Sequence, residues 1–241
     1  MIRKLKALGL AVCAIAAMTA VMASAAQAET GALTPFFGGP TIITGAQQGE
    51  GPVFDIGPGP TRTVECTTAD LNSTIFGPTD PVTFKPIYNN CRSNPNFRPT
   101  TVTTNGCDYR FGFGRPGTTG QPMTTGTLDM RLVCPQGQQM EVHVYENAVK
   151  HVENISTCTY DVPPQGPVPA GIYHNVNGMP NDVLMTVNAN FVALNTIGPA
   201  FLCGGMAFQN IPFTVTGNYT LKGFEEEFNG EEGPQVPIHV G

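Results

Sequence analysis

His143 and His151, with Glu141 and Glu153 beside them, are the place in this sequence where imidazoles and carboxylates gather. Such groups exchange protons near neutral pH. Neither H-x-H nor H-E-x-x-H spacing is present, so no two imidazoles are set on one face for zinc. The polar faces of a strand and a short helix explain the pattern more simply, and neither a metal nor a cofactor is expected. Paired carboxylates leave no local signature, because glycosidases draw acid and base from distant positions. Asp108, Asp129, Asp161 and Asp182 stand in or beside β-like runs, where a buried carboxylate is costly without a purpose. A secreted hydrolase would take Asp129 and Asp182 as its pair. The simpler role for each is a strand-end or turn residue bonding the backbone.

Other chemistries find fewer residues to use. Beyond residue 28 the serines are Ser73, Ser93 and Ser156, none in a Gly-x-Ser-x-Gly turn. Asn175-Val176-Asn177-Gly178 with Asn181-Asp182 is oxygen-rich, but one carboxylate makes a weak calcium loop and an Asn-Gly turn explains it better. The chain has no Trp, which removes the stacking platform common in polysaccharide sites. Asn72, Asn154 and Asn218 each open an N-x-[ST] acceptor pattern, relevant only in a glycosylating host.

Cysteine speaks more clearly. Cys66, Cys91, Cys107, Cys134, Cys158 and Cys203 are an even set with no C-x-x-C and no matched Cys/His spacing, which reads as three structural disulfides. Six thiols allow 15 pairings. Compact strand-turn units favour Cys91 with Cys107 and Cys134 with Cys158, leaving Cys66 to tie the first strand to Cys203. A thiol so engaged is no nucleophile.

An oxidising destination agrees with the start of the chain. Arg3, Lys4 and Lys6 precede an apolar run from Ala7 to Ala23, and Ala26-Gln27-Ala28 has the A-x-A form of a cleavage site. Residues 1–28 therefore read as a signal peptide. An uncleaved anchor is disfavoured by the short, Ala-rich run, and a lipid attachment at Cys13 by Val12 where a small residue is wanted. The expected location is secreted or extracellular, including loose association with the cell envelope. No stable membrane span is expected after cleavage.

The remaining chain carries nine Lys plus Arg against 18 Asp plus Glu, a net charge of −9. That surface repels polyanions, so nucleic acid is not an expected partner. Charged residues are 12% of the whole chain while Gly and Pro number 28 and 22, a balance that favours short strands and tight turns over helices. Residues 29–60 read as a Gly/Pro-rich leader, flexible or draped on the body. Residues 61–224 read as the β-rich domain, with strands at 61–67, 82–88, 100–104, 108–113, 127–134, 140–145, 157–162, 171–175, 183–194 and 211–221. Helical spacing of Val144, Tyr145, Ala148, Val149 and Val152 leaves room for a single short helix. Residues 225–241, with Glu225-Glu226-Glu227 and Glu231-Glu232, read as an acidic flexible tail. The fold class expected is all-β, an antiparallel sandwich or barrel-like domain stapled by three disulfides.

Asn105-Gly106-Cys107-Asp108-Tyr109, Val133-Cys134-Pro135 with Gly137, Cys158 running into Val162-Pro163-Pro164-Gln165, and Asn181-Asp182-Val183 carry a resemblance. Over residues 62–224 the chain resembles uncharacterised exported, disulfide-stapled β-rich proteins of high-GC Gram-positive (actinobacterial) bacteria. The resemblance implies fold more than chemistry and supplies no catalytic set. The expected function is a non-enzymatic binding or structural module at or outside the cell envelope, with an envelope polymer or another surface protein as partner. The alternative is the carboxylate-pair hydrolase. Membrane insertion through Phe36, Phe37 and Phe54 is a third class, disfavoured by the acidic charge.

Overall fold

A computed structural model describes residues 30–36, 38–49, 52–57, 62–94, 97–114, 125–147, 158–176, 181–197, 203, 209–227 and 231–241. The signal segment, His151, Glu153, Asn154, most of the helical stretch and the Asn177-Gly178 turn lie outside the described residues. Among the described residues all sixteen elements are β-strands. Four come early: β1 (Thr30–Gly31), β2 (Leu33–Pro35), β3 (Thr41–Gln47) and β4 (Pro52–Ile56). The body comprises β5 (Arg62–Ile75), β6 (Val82–Ser93), β7 (Arg98–Thr103), β8 (Asp108–Gly114), β9 (Thr125–Val133), β10 (Met140–Val144), β11 (Cys158–Val162), β12 (Gln165–Val176), β13 (Asp182–Ile197) and β14 (Gln209–Glu226). The chain ends with β15 (Glu232–Val236) and β16 (Ile238–Val240).

The pairings close a ring. β3 and then β4 run along β5 on one side and β14 on the other, so the two form one interrupted stave. β7 with β8, β9 with β10, and β11 with β12 are interrupted staves in the same way. With β5, β6, β13 and β14 unbroken, eight antiparallel staves follow each other up and down, and β14 returns to β3 and β4. This is the barrel-like alternative rather than two facing sheets: fourteen strands belong to one sheet, and only β2 with β16 stands apart. The β13–β14 ladder runs without a register shift from Val183↔Leu221 to Asn195↔Gln209.

Alternation decides what fills the barrel. Along β13, Val183, Met185, Val187, Ala189, Phe191 and Ala193 are buried, while Leu184, Thr186, Asn188, Asn190 and Val192 point out. β5 and β6 change phase together. Arg62, Val64 and Cys66 point in, then Ala69 and Leu71, so Thr67 and Thr68 both face out, opposite Asn89 and Asn90. The register holds through this change of phase, and Asn90 takes a left-handed backbone there, with φ of 49°. Inside, the rings of Phe54, Tyr88 and Phe213 pack at centroid distances of 5.0–5.1 Å, and Phe84 meets Phe111 edge-on at 5.8 Å. Tyr88 donates to the Tyr109 hydroxyl at 2.8 Å, and Tyr109 donates to Met140 Sδ at 3.6 Å. Buried phenols are thereby partnered inside an apolar core.

Three expectations are corrected. The leader is not draped: β3 and β4 complete the ring, and Leu33, Ile43, Val53, Phe54 and Ile56 enter the core. The tail is not a solvated appendage either, because β15 pairs with β14 and β16 pairs with β2, burying Val236, Ile238 and Val240. In both segments Gly and Pro stand among the apolar residues, Gly45 even at an inward position of β3, and disguise a period of two. The disulfides join neighbours from the start, Cys66–Cys91, Cys107–Cys134 and Cys158–Cys203, instead of the pairing expected. Cys66 and Cys91 are directly opposed on β5 and β6, with Cα atoms 3.9 Å apart. Cys107 and Cys134 lie where the β7/β8 and β9/β10 staves break, 4.0 Å apart. Register, which spacing does not reveal, selects these partners. Where a helix was allowed for, β10 ends at Val144 and the Tyr145 N–H donates to the Pro99 carbonyl at 2.9 Å.

Candidate functional site

On the outer face, β8, β9 and β12 enclose a groove. Its larger part, about 370 Å³, is lined by Asp80, Gly112, Gly114, Thr127, Asp129 and the Pro167-Val168-Pro169 run, with Phe113 and Leu128 beneath. A second part of about 250 Å³ continues over Pro81, Arg110 and Arg131 and shares Asp80, Gly112, Asp129 and Pro167. The local sequence explains the hollow. β12 shifts register against β9 between Gln165 and Val168 and again between Pro169 and Gly171, so the ladder is irregular on both sides of the proline run. Opposite, β8 offers glycine at 112 and 114, and a Cβ on Gly112 would collide with the Asp129 carboxylate.

The charged groups are tied down. Asp129 faces Gly112 across the β8–β9 ladder, and its Oδ1 accepts the Gly112 N–H at 3.1 Å. Asp80 Oδ1 accepts the next amide, Phe113 N–H, at 3.0 Å. Successive amides of one strand thus hold two carboxylates in one groove. Arg110 and Arg131 are directly opposed on β8 and β9. Burial raises the pKa of Asp80; the Phe113 N–H opposes that rise, the Asp129 charge adds to it and Arg110 opposes it. The groove therefore presents a mixed pattern of carboxylate and guanidinium on a stiff sheet.

The carboxylates singled out in the sequence are scattered. Asp129 lies opposite Pro169 and Asp182 opposite Val176, with β12 between them. Seven residues of strand separate those positions, about 23 Å at 3.3 Å per residue. A glycosidase pair needs about 5 to 9.5 Å. Asp129 and Asp182 are therefore no catalytic couple. Asp182 instead accepts from Gln235 Nε2 at 3.0 Å and helps seat β15, its pKa raised mainly by burial. Asp108, also raised by burial, begins β8, and Asp161 is buried in β11.

His143 and Glu141 do meet. His143 Nε2 lies 3.0 Å from Glu141 Oε2 and Nδ1 lies 3.1 Å from Thr159 Oγ1, on the outer face of β10 and β11. The order hydroxyl, imidazole, carboxylate is that of a nucleophilic relay. Thr159, however, is only 7% exposed, so its hydroxyl offers no approach to a substrate carbonyl. The arrangement joins two strands. Asn175, read within an oxygen-rich loop, is buried and engaged with Val240, not available to a cation.

Asp80, Arg110 and Arg131 carried no motif. Asp80 directly precedes Pro81 and the two arginines lie on separate strands; only the Arg110↔Arg131 register unites them. Comparisons with protein-family models, with curated proteins and with solved structures found no match to this chain.

Proposed function

We propose that this chain is an exported, non-enzymatic binding or structural module, acting outside the cell or at its envelope, that engages its partner through the Asp80–Arg110–Asp129–Arg131 groove. The supporting observation is the commitment of both carboxylates to backbone amides of β8. Groups fixed in this way present a constant charge pattern to a ligand. Three disulfides suit an oxidising exterior, and the filled barrel supplies a rigid support. A cell-envelope polymer or another surface protein that offers both amines and carboxylates would complement the groove. Outward positions such as Thr186, Asn188, Asn190, Thr214, Thr216 and Lys222 favour an aqueous setting, because lipid-facing barrels carry apolar residues there.

The hydrolase remains the second reading, now centred on Asp80 and Asp129. It is favoured by the raised pKa of Asp80 beside a second carboxylate, a pattern of acid/base pairs. Cosedimentation of the oxidised protein with isolated envelope polymers separates the two. Retention that falls in an Arg110→Ala/Arg131→Ala variant, without soluble fragments, supports binding. Fragment release that stops in Asp80→Asn supports hydrolysis and overturns the first reading.

A further inference from the structure

At the barrel end opposite β2 and β16, the interior turns cationic. Arg62 opens β5 facing inward and is only 5% exposed. Ser93 and Arg98 are directly opposed on β6 and β7, on the same inward face as Val64 and Cys91. Ser93 is 1% exposed. Its Oγ and the Nη1 of Arg98 are buried without a hydrogen-bond partner. Tyr160 reaches the same region and donates to the Cys203 carbonyl at 3.2 Å. Burial lowers the Arg62 pKa; Tyr160 opposes that shift, and Arg98, close enough to repel, adds to it. The acidic residues of the flanking strands, Asp55 and Glu65, alternate to the outer face, where Glu65 accepts from Asn94 Nδ2 at 2.6 Å.

This is a set of donors. Guanidinium N–H groups cannot accept, and a serine hydroxyl can turn its proton toward an acceptor. A buried donor with nothing to bond is costly, more so when charged, and the Ser93 hydroxyl and the Arg98 Nη1 therefore call for an acceptor. The planar fork of arginine matches the oxygens of a carboxylate or phosphate. We propose that this end of the barrel binds a small oxyanion between the Arg62 and Arg98 guanidiniums and the Ser93 hydroxyl.

Inorganic phosphate is the probe. Thermal unfolding of the purified, oxidised protein is followed while phosphate is raised at constant ionic strength. The Tm rises saturably, by about 5–10 °C at a hundredfold excess over Kd. Arg98→Met abolishes that response and, without phosphate, unfolds no earlier than the parent, since a buried donor without a partner is gone. Ser93→Ala keeps the charge and weakens phosphate binding roughly tenfold. Arg92→Met, on the outer face, keeps the full response. A parent protein without a saturable rise overturns the proposal, as does a rise unchanged in Ser93→Ala or lost equally in Arg92→Met. If Arg98→Met does not fold, the Ser93→Ala titration decides.

Discussion

Asn175 and Val240 are locked by a reciprocal pair of hydrogen bonds: Asn175 Nδ2 donates to the Val240 carbonyl and the Val240 N–H donates to Asn175 Oδ1, both at 2.8 Å. The last strand is thereby bonded into the barrel mouth. Asn175→Leu leaves a buried amide and carbonyl unsatisfied, so stability falls by about 2–4 kcal/mol. Denaturant unfolding measures it, and deletion of residues 237–241 is expected to cost at least as much. An unchanged midpoint in both would mean that β16 contributes nothing to the fold.

The disulfides give a direct test of register. Peptide mapping of the unreduced protein yields Cys66–Cys91, Cys107–Cys134 and Cys158–Cys203. The last spans 45 residues, against 25 and 27 for the others. In the chain-entropy model its loss costs about 4 kcal/mol and that of either shorter loop about 3.5. Paired Cys→Ala substitutions compared by unfolding midpoint check the order.

Those pairings also mark where sequence stops being informative. The ten body strands were legible because β-branched and aromatic residues alternate and Gly or Pro punctuate them. The first body strand is expected over 61–67, yet β5 runs on to Ile75: Asn72 and Thr74 are exposed along it, and Ser73 donates to the Thr83 carbonyl at 2.7 Å. Leader and tail were missed because their apolar residues, such as Ile43 and Val240, sit among turn formers and find partners only in distant strands. The groove failed for the same reason. Asp80, Arg110, Asp129 and Arg131 share no spacing until register aligns them.

Gly126 faces Tyr173 across the β9–β12 ladder, and the Tyr173 hydroxyl donates to the Gly114 carbonyl at 2.6 Å. A Cβ at 126 would fall within the Tyr173 ring. Gly126→Ala must displace that ring and break its bond, for about 2–3 kcal/mol. Tyr173→Phe removes the bond alone, for about 1 kcal/mol. Unfolding curves that rank the two the other way would show that the hydroxyl bond, not the space left by the glycine, is what the fold needs.

Buried phenols fix the alkaline limit. Desolvation raises the pKa of Tyr88, Tyr109 and Tyr219, and that of Tyr173 to about 12. Unfolded tyrosines ionise near 10. Below that value both states are protonated and these groups give no pH dependence. Above it the unfolded chain loses protons that the folded one keeps, so stability falls as pH rises. Unfolding midpoints should therefore be level with respect to tyrosine up to about pH 10 and drop beyond it. A Tyr88→Phe variant should show a shallower drop.

Asp80 gives the groove a pH signature of its own. Its folded pKa is raised by burial, with a further contribution from Asp129. Protonated Asp80 therefore suits the fold, and the stability it contributes is full at pH below its ordinary value near 3.8 and is lost as pH rises through the folded value. Asn at this position keeps an oxygen for the Phe113 N–H and carries no charge. Asp80→Asn is expected to match the parent at low pH and to become the more stable protein toward neutrality, whereas Asp80→Ala, equally uncharged, forfeits the amide contact and stays about 1–2 kcal/mol below Asp80→Asn throughout. Stability measured from pH 3 to 7 distinguishes these outcomes. A parent more stable than Asp80→Asn at neutral pH would mean that Arg110 outweighs burial and Asp129 at this carboxylate, and that the groove is organised by ion pairing rather than by the amides of β8.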